Sequence, residues 1–300
     1  MSWKLTVLAP RGEVEAALIA HEDAFDWDAD IVIAGSEIAE DRPDDWQLEA
    51  WLPRRPRPAD RRALDALFAQ PPQWSQERLP DTDWLTSSQQ YLEPVRAGAF
   101  HIRTPDHAAC CDPGVRSFVI PASQAFGTGQ HATTAGCLTM LTAMKSSGMT
   151  VHNAADIGTG TGLLAFAALA LWPRALATAS DIDWVCAGVI AENARLNRVR
   201  LGGRAGEVAV AIAPGLGHPL IEARAPYDLV IANILAGPLV ELMPDFADAT
   251  VPGGSLLLAG LLTTQEAAVR RAAIRHGFRI AQRIVRGDWS ILWLRRRSAR

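Results

Sequence analysis

From residue 154 onward, short apolar runs alternate with longer amphipathic or alanine-rich segments. The runs have the length of buried strands, roughly four to eight residues, and the segments between them have the length of helices. This alternation predicts an α/β domain whose mostly parallel sheet is covered by helices on both faces. The predicted strands are residues 154–157, 175–180, 207–212, 228–232 and 254–259, followed by an antiparallel pair at 278–285 and 289–294. The predicted helices are residues 162–171, 184–196, 237–248 and 263–276.

The first eighty residues have a different order of elements. Strands are predicted at residues 3–8, 31–34, 46–52 and 74–79, and helices at 12–20 and 57–69. The order βαββαβ is that of the ferredoxin-like split unit, so we expect a small α+β domain over residues 1–80. The prolines and aspartates that follow predict a linker over residues 81–96, with a short helix at 84–92. Residues 97–300 then form the α/β domain, whose first elements are strands at 100–103 and 116–120 and a helix at 134–144.

The segment Asp156-Ile157-Gly158-Thr159-Gly160-Thr161-Gly162 joins the strand at 154–157 to an apolar helix. Its alternate glycines let the chain turn tightly and let a ligand approach backbone that a Cβ would block. The next strand ends near Asp181, 23 positions after Gly158, where a carboxylate binds the hydroxyl pair of a ribose. The spacing indicates an adenosine-type cofactor, and the alternative is an ordinary strand-to-helix turn that contains spare glycines. Dinucleotide sites need G-x-G-x-x-G, but Leu163 stands in the sixth position of this segment. G-x-G-x-G after an aspartate is instead the S-adenosylmethionine pattern of Rossmann-like methyltransferases.

Asn233 follows the strand at 228–232, at the carboxyl edge of the predicted sheet, where open α/β sheets bind ligands. Its carbonyl oxygen can accept a hydrogen bond from a cofactor or a substrate amine while its NH2 group binds backbone. The alternative is that Asn233 only caps the next helix. In the loop at 126–134, Thr133 and Thr134 begin a helix, and their spacing leaves capping and ligand contact equally open. A lone histidine in a loop, such as His131, is more often structural than catalytic.

Composition and charge exclude several classes of protein. The 300 residues are 49% hydrophobic and 21% charged, which is typical of a globular chain with two domains. The longest apolar run, residues 163–172, is too short to cross a bilayer, and the first residues lack the pattern of a signal peptide. The net charge of −4 argues against bulk nucleic-acid binding. Because the four cysteines show no metal-binding spacing, we expect a cytoplasmic protein without a metal, a membrane contact or sequence-specific nucleic-acid contacts.

Several segments of this chain occur together in one known family. They are FGTGQHATT, DIGTGTGLLAFAA, SDID with AENARLN behind it, YDLVIANILAGPLVEL and PGGSLLLAGLLTTQ. In order and spacing they resemble the bacterial ribosomal protein L11 methyltransferases, and the combination of FGTG-x-H-x-TT with ANILA-x-PL is specific to that family. The resemblance is strong over residues 84–294, whereas residues 1–80 match only in fold pattern. The chain departs from the family pattern at two places outside the inferred cofactor site. It has Pro121-Ala122-Ser123 where Asp-Pro-Gly is usual, and Glu93 where lysine is common. The change at Glu93, in the linker, leaves the domain orientation open.

The resemblance implies a Rossmann-like seven-stranded methyltransferase domain preceded by a small ferredoxin-like domain that recognises the substrate protein. It implies that S-adenosylmethionine contacts Thr134, Gly158, Asp181 and Asn233, and that Phe126, Gly160 and Gly162 shape the pocket. The implied substrates are lysine ε-amines and the N-terminal α-amine of ribosomal protein L11. Asn233 is the hypothesised catalytic residue that orients the amine, and a monomer is expected. Glu192 and Asn193 are expected to face solvent or to brace neighbouring loops.

Other functions stay open at this point. A related methyltransferase could act on another protein, a nucleic acid or a small molecule. Enzymes that methylate nucleic-acid or glutamine amino groups typically carry Asn-Pro-Pro-Tyr, whereas this chain has Asn233-Ile234-Leu235-Ala236. The missing sixth-position glycine opposes an NAD-dependent oxidoreductase, and the intact glycines oppose a ribosome-binding protein without activity. Residues 1–45 hold twelve Asp or Glu against three basic residues, a balance that suits the attraction of a basic ribosomal protein.

Overall fold

In a computed structural model of the chain, the described residues are 3–22, 27–28, 30–38, 44–78, 93–121 and 132–298. Phe126, His131 and the helix expected at 84–92 lie outside these residues. The chain divides into two compact units, Met1–Thr86 and Ser87–Arg300. No helix in the described part of the chain is long and apolar enough to cross a membrane.

The first unit is a four-stranded antiparallel sheet in the order β2-β3-β1-β4 with two helices. In chain order its elements are β1 Trp3–Pro10, α1 Arg11–Glu22, β2 Val32–Glu37, β3 Asp45–Leu52, α2 Pro58–Asp65 and β4 Ser75–Arg78. Leu5 and Val7 of β1 and Leu48 and Ala50 of β3 are buried in one cluster with helix residues, because alternate side chains of a strand face the same side. The predicted βαββαβ order is confirmed.

The second unit contains a seven-stranded sheet in the order β10-β9-β8-β11-β12-β14-β13 and a three-stranded sheet in the order β5-β6-β7. The strands are β5 Val95–Ala97, β6 Phe100–Arg103, β7 Arg116–Val119, β8 Asn153–Ile157, β9 Leu176–Asp181, β10 Val208–Ile212, β11 Tyr227–Asn233, β12 Thr250–Leu262, β13 Phe278–Arg286 and β14 Trp289–Arg296. The helices are α3 Ala132–Ser146, α4 Leu163–Leu171, α5 Val185–Asn197, α6 Pro219–Arg224, α7 Ala236–Glu241, α8 Met243–Ala249 and α9 Glu266–Arg275. Strands β8 to β12 are parallel and β14 pairs antiparallel with β12 and β13, as predicted.

Two hydrophobic clusters cover the two faces of the large sheet. Leu229 and Ile231 of β11 belong to the cluster that includes residues of α3, α4 and α5. Val230 and Ala232 belong to the other cluster, with residues of α6, α7, α8 and α9. Successive side chains of β11 enter opposite clusters, so residues 229–232 are all apolar, which is the pattern of a sheet buried on both faces.

The structure differs from the sequence-based expectation at three elements. The helix predicted at 237–248 is two helices, α7 and α8, that meet at Leu242. Pro244 accounts for the break, because proline lacks an amide hydrogen and its ring clashes with the carbonyl four residues earlier. Helix α6 was not predicted; His218 caps it by accepting a hydrogen bond from the amide of Leu220. Strand β5 was also not predicted, and it pairs with β6 at the end of the expected linker.

Candidate cofactor-binding site

The order of the strands reverses beside β8. From β8 the chain continues to β9 and β10, which lie on one side of β8 in the sheet, whereas β11 lies on the other side of β8. Such a switch point opens a crevice outside the carboxyl ends of the strands, where doubly wound sheets bind ligands. Gly158 directly follows β8, Asp181 ends β9 and Asn233 ends β11, so the fold brings three residues predicted as site residues to this edge.

The loop after β8 has a left-handed backbone at each of its three glycines. The φ angles are +73° at Gly158, +56° at Gly160 and +83° at Gly162. The amides of Gly158 and Thr159 both donate to the carbonyl of Ser180, at 2.8 and 2.9 Å, which fastens the loop to the end of β9. Positive φ is unfavourable for residues that carry a Cβ, so this path of the chain requires glycine.

Packing adds a second reason for two of these glycines. A Cβ on Gly158 would lie 2.2 Å from Cγ2 of Ile234, and a Cβ on Gly162 would lie 2.8 Å from the ring of Phe166. The glycine spacing predicts that Gly158 makes room for the cofactor. The structure adds a contact with the side chain of Ile234, next to Asn233, that local spacing does not reveal.

Asp156 fixes the glycine loop from inside the domain. Its Oδ2 accepts hydrogen bonds from the hydroxyl of Thr159 at 2.5 Å and from the amide of Ala165 at 3.1 Å. The residue is 1% exposed. Burial raises the pKa of the Asp156 carboxyl to about 7, although both hydrogen bonds act in the opposite direction. Its Oδ1 is buried and has no hydrogen-bond partner among the described residues.

Asp181 is held at the end of β9 by two backbone amides. Gly160 donates to its Oδ2 at 2.8 Å, and Asp183 donates to its Oδ1 at 3.1 Å. A carboxylate offers about four lone-pair sites, so each oxygen keeps acceptor capacity for a ligand hydroxyl. The neighbouring Ile182 and Trp184 are 73% and 77% exposed, which puts large apolar side chains next to this acceptor.

Asn233 and Thr134 form a contact between β11 and the first turn of α3. The Nδ2 atom of Asn233 donates to Oγ1 of Thr134 at 3.2 Å. The amide is therefore tethered to a side-chain hydroxyl, whereas the sequence suggested a backbone partner. This bond uses the amide nitrogen, so the carbonyl oxygen of Asn233 keeps its acceptor capacity. The two residues line a small cavity whose other lining residues are Gly158, Thr159, Thr161, Leu163 and Leu164.

Helix α5 braces the glycine loop from its outer side. The side chain of Asn193 is buried, and its Nδ2 donates to the carbonyl of Thr161 at 2.9 Å. Asn197, one turn later, donates to the carbonyls of Asn193 and Val119 and accepts from the amide of Val119. Of the two expectations for Asn193, bracing is thus observed, whereas Glu192 is exposed and pairs with Arg195.

Asn197 and Thr159 are supporting residues that the sequence reasoning missed. The spacing of four residues between Asn193 and Asn197 puts both amides on one face of α5, and this was the available signal. Within the described ranges, no group of three or more His, Cys, Asp or Glu side chains is placed to hold a metal ion.

Comparison with known proteins identifies the family. The family model described as ribosomal protein L11 methyltransferase (PrmA) matches residues 18–297. A Brucella suis protein of the same description is 37% identical over 97% of this chain and 99% of its own length. A Caulobacter protein, also called ribosomal protein L11 methyltransferase, is 38% identical over 95% of each chain. The crystal structure of a ribosomal protein L11 methylase from Lactobacillus delbrueckii subsp. bulgaricus covers 69% of this chain and 100% of its own, with a TM-score of 0.58 and 25% identity.

The family match extends over nearly the whole chain, including most of the first unit. The resemblance inferred from the sequence motifs and the Rossmann-like methyltransferase fold are both confirmed. The chain therefore belongs to the ribosomal protein L11 methyltransferase family, whose members are S-adenosylmethionine-dependent protein methyltransferases.

Proposed function

We propose that this chain transfers methyl groups from S-adenosylmethionine to amino groups of ribosomal protein L11, namely lysine ε-amines and the N-terminal α-amine. The observation that carries the proposal is the meeting of a carboxylate, a glycine loop and an amide at one edge of the sheet. Asp181, Gly158 and Asn233 reach this edge from three neighbouring parallel strands. At this edge Asp181 would accept hydrogen bonds from ribose hydroxyls, and Asn233 would accept one from the amine.

The residues at this edge fit an adenosine-type sulfonium cofactor. Asp181 would accept hydrogen bonds from the ribose hydroxyls, since both of its oxygens are oriented by backbone amides and keep free lone pairs. The glycine loop would contact the cofactor through its backbone atoms, and Gly160 and Gly162 would shape the turn. Thr134 and Asn233 would bound the opposite side of the pocket. Phe126 is proposed as a pocket residue from the family motif alone.

The bound cofactor supplies an electrophilic methyl group on sulfur, so the protein must align the amine and keep it unprotonated. Lysine side chains have a pKa of about 10.4 and α-amines of about 8, so most target amines arrive charged at neutral pH. Removing water disfavours the charged form, and Leu163 and Leu164 contribute apolar walls to the cavity. The carbonyl oxygen of Asn233 would accept a hydrogen bond from the amine and direct its lone pair at the methyl carbon. Such alignment removes much of the entropic part of the barrier.

We further propose that residues 1–80 recognise L11, that residues 81–96 are a linker and that residues 97–300 carry the chemistry, in a chain that acts as a monomer. Glu13, Glu37 and Asp44 of the first unit are exposed. An acidic surface of this kind would attract a basic ribosomal protein over a distance, and salt would weaken the attraction.

Radiolabelled S-adenosylmethionine tests the proposal directly. The enzyme is incubated with L11, with L11 whose α-amine is acetylated and whose lysines are replaced by arginine, and with a mixture of the other ribosomal proteins. Label is expected only on unmodified L11. Asn233→Ala should lower the rate at least tenfold while the affinity for the cofactor changes less. Label on the amine-free L11, or equal label on the other ribosomal proteins, would show that the substrate assignment is wrong.

A further inference from the structure

Ile234, the residue after Asn233, is enclosed by two glycines that come from distant parts of the chain. A Cβ on Gly158 would lie 2.2 Å from the Cγ2 atom of Ile234. A Cβ on Gly260 would lie 2.2 Å from the carbonyl oxygen and 2.7 Å from the carbonyl carbon of Ile234. One glycine thus makes room for the side chain of Ile234, and the other makes room for its backbone.

The position of Gly260 in the sheet explains the second contact. Ala259 is paired with Asn233 in the parallel ladder between β11 and β12, so Gly260 lies beside the point where β11 ends. The pairing of β12 with β14 is irregular between Leu258 and Leu261, and Gly260 has a φ angle of +82°. Strand β12 therefore bends at Gly260, directly against the peptide of Ile234. Any larger residue at 260 would push that peptide away.

The side chain of Ile234 contacts a different part of the domain. It is partly buried against the cluster that contains Ile157, Ala232 and Leu258. Its Cγ2 atom occupies the space beside Gly158 that a Cβ would otherwise fill. Asn233 directly precedes Ile234 in the chain, so the backbone of Ile234 continues from the residue whose amide binds Thr134.

We infer that Ile234 is a positioning residue for methyl transfer, held between Gly158 and Gly260, and that it couples the cofactor loop to the Asn233 amide. The inference rests on the proposed role of Asn233 in orienting the amine. The sequence explanation for Gly158 was the space needed by the cofactor. In addition to the left-handed backbone, the side chain of Ile234 disfavours a Cβ at 158. A requirement set by Ile234 and one set by the cofactor predict different behaviour of a double variant.

The test uses the full chain as wild type, Gly158→Ala, Ile234→Ala and the double variant. Calorimetry gives the dissociation constant of S-adenosylmethionine, and labelled transfer to L11 gives kcat. Gly158→Ala should weaken cofactor binding at least tenfold, and the double variant should bind at least fivefold more tightly than Gly158→Ala. The left-handed strain of alanine at 158 is present in both proteins, so it cancels in this comparison. A double variant that binds no better than Gly158→Ala would overturn the contact and favour a direct requirement of the cofactor.

A second readout separates positioning from general stability. Ile234→Ala should lower kcat at least tenfold with a cofactor affinity within threefold of wild type, whereas Ile234→Val, which retains Cγ2, should keep at least half of kcat. Ile274→Ala makes the same chemical change at an exposed helix position and should match wild type in both quantities. Wild-type kcat in Ile234→Ala would refute the positioning role.

The remaining outcomes also decide the question. If Ile234→Ala does not fold, Ile234→Leu takes its place, because leucine keeps the side-chain volume but removes the branch at Cβ. The double variant Gly158→Ala with Ile234→Leu should then bind the cofactor at least fivefold more tightly than Gly158→Ala alone. No gain with leucine would contradict the inference. A wild-type chain that neither binds the cofactor nor methylates L11 would contradict the proposed function itself, whereas an active wild type without recovery in the double variant contradicts only the role of Ile234.

Discussion

Replacing Asp181 with alanine should weaken the binding of S-adenosylmethionine roughly ten- to a hundredfold. The carboxylate is held by the amides of Gly160 and Asp183, so its remaining lone pairs point in fixed directions. Hydrogen bonds to a charged group contribute about 1.5–3 kcal/mol, and each 1.4 kcal/mol is about a factor of ten in affinity. We expect a loss of affinity near the hundredfold end of this range, because alanine also removes the acceptor of the Gly160 amide and thereby loosens the glycine loop.

Titration calorimetry with purified protein measures this change, and two variants make it specific. Asp183→Ala removes the same charge from an exposed side chain two residues further along the chain. This variant should bind the cofactor with an affinity within about threefold of wild type. Asp181→Asn keeps an acceptor oxygen without the charge and should fall between wild type and Asp181→Ala. Unchanged affinity in Asp181→Ala, or an equal loss in Asp183→Ala, would show that Asp181 at the end of β9 does not bind the ribose.

Three further predictions concern stability and the division of labour. The raised pKa of Asp156, about 7 against about 3.9 in an unfolded chain, means that the folded protein holds an extra proton between these values. The free energy of unfolding without cofactor should therefore fall as pH rises from about 4 to about 7, and urea titrations of Asp156→Asn should lack this fall. Asn193→Ala removes the buried hydrogen bond from helix α5 to the carbonyl of Thr161, so urea unfolding should show a loss of about 0.5–1.5 kcal/mol; no measurable loss would contradict the brace. A chain that begins at Glu93, before β5, should bind S-adenosylmethionine but methylate L11 far more slowly than the full chain; equal rates would give the first unit another role.

Much of the fold was predictable because hydrophobic periodicity is a local signal. The apolar run of β11 belongs to a strand whose two faces enter different clusters, so its burial is visible in its own residues. The glycine loop and Asp181 were recognisable for a similar reason, since one strand–helix–strand unit holds both within 23 positions. The break between α7 and α8 was missed although Pro244 is visible in the sequence, because the apolar pattern continues through the proline.

The contacts that orient the site were decided only by the tertiary structure. Asn233 and Thr134 are 99 residues apart in the chain, and neither residue identifies the other as its partner. Ile234 meets Gly158 and Gly260 for the same reason, since the switch point of the sheet brings the ends of β8, β11 and β12 together. The sequence by itself determined which residues lie at the carboxyl edge of the sheet, because local hydrophobic patterns set the length of each strand and the order of the strands along the chain. Which atoms hold one another there depends on packing between distant segments, which has no local pattern.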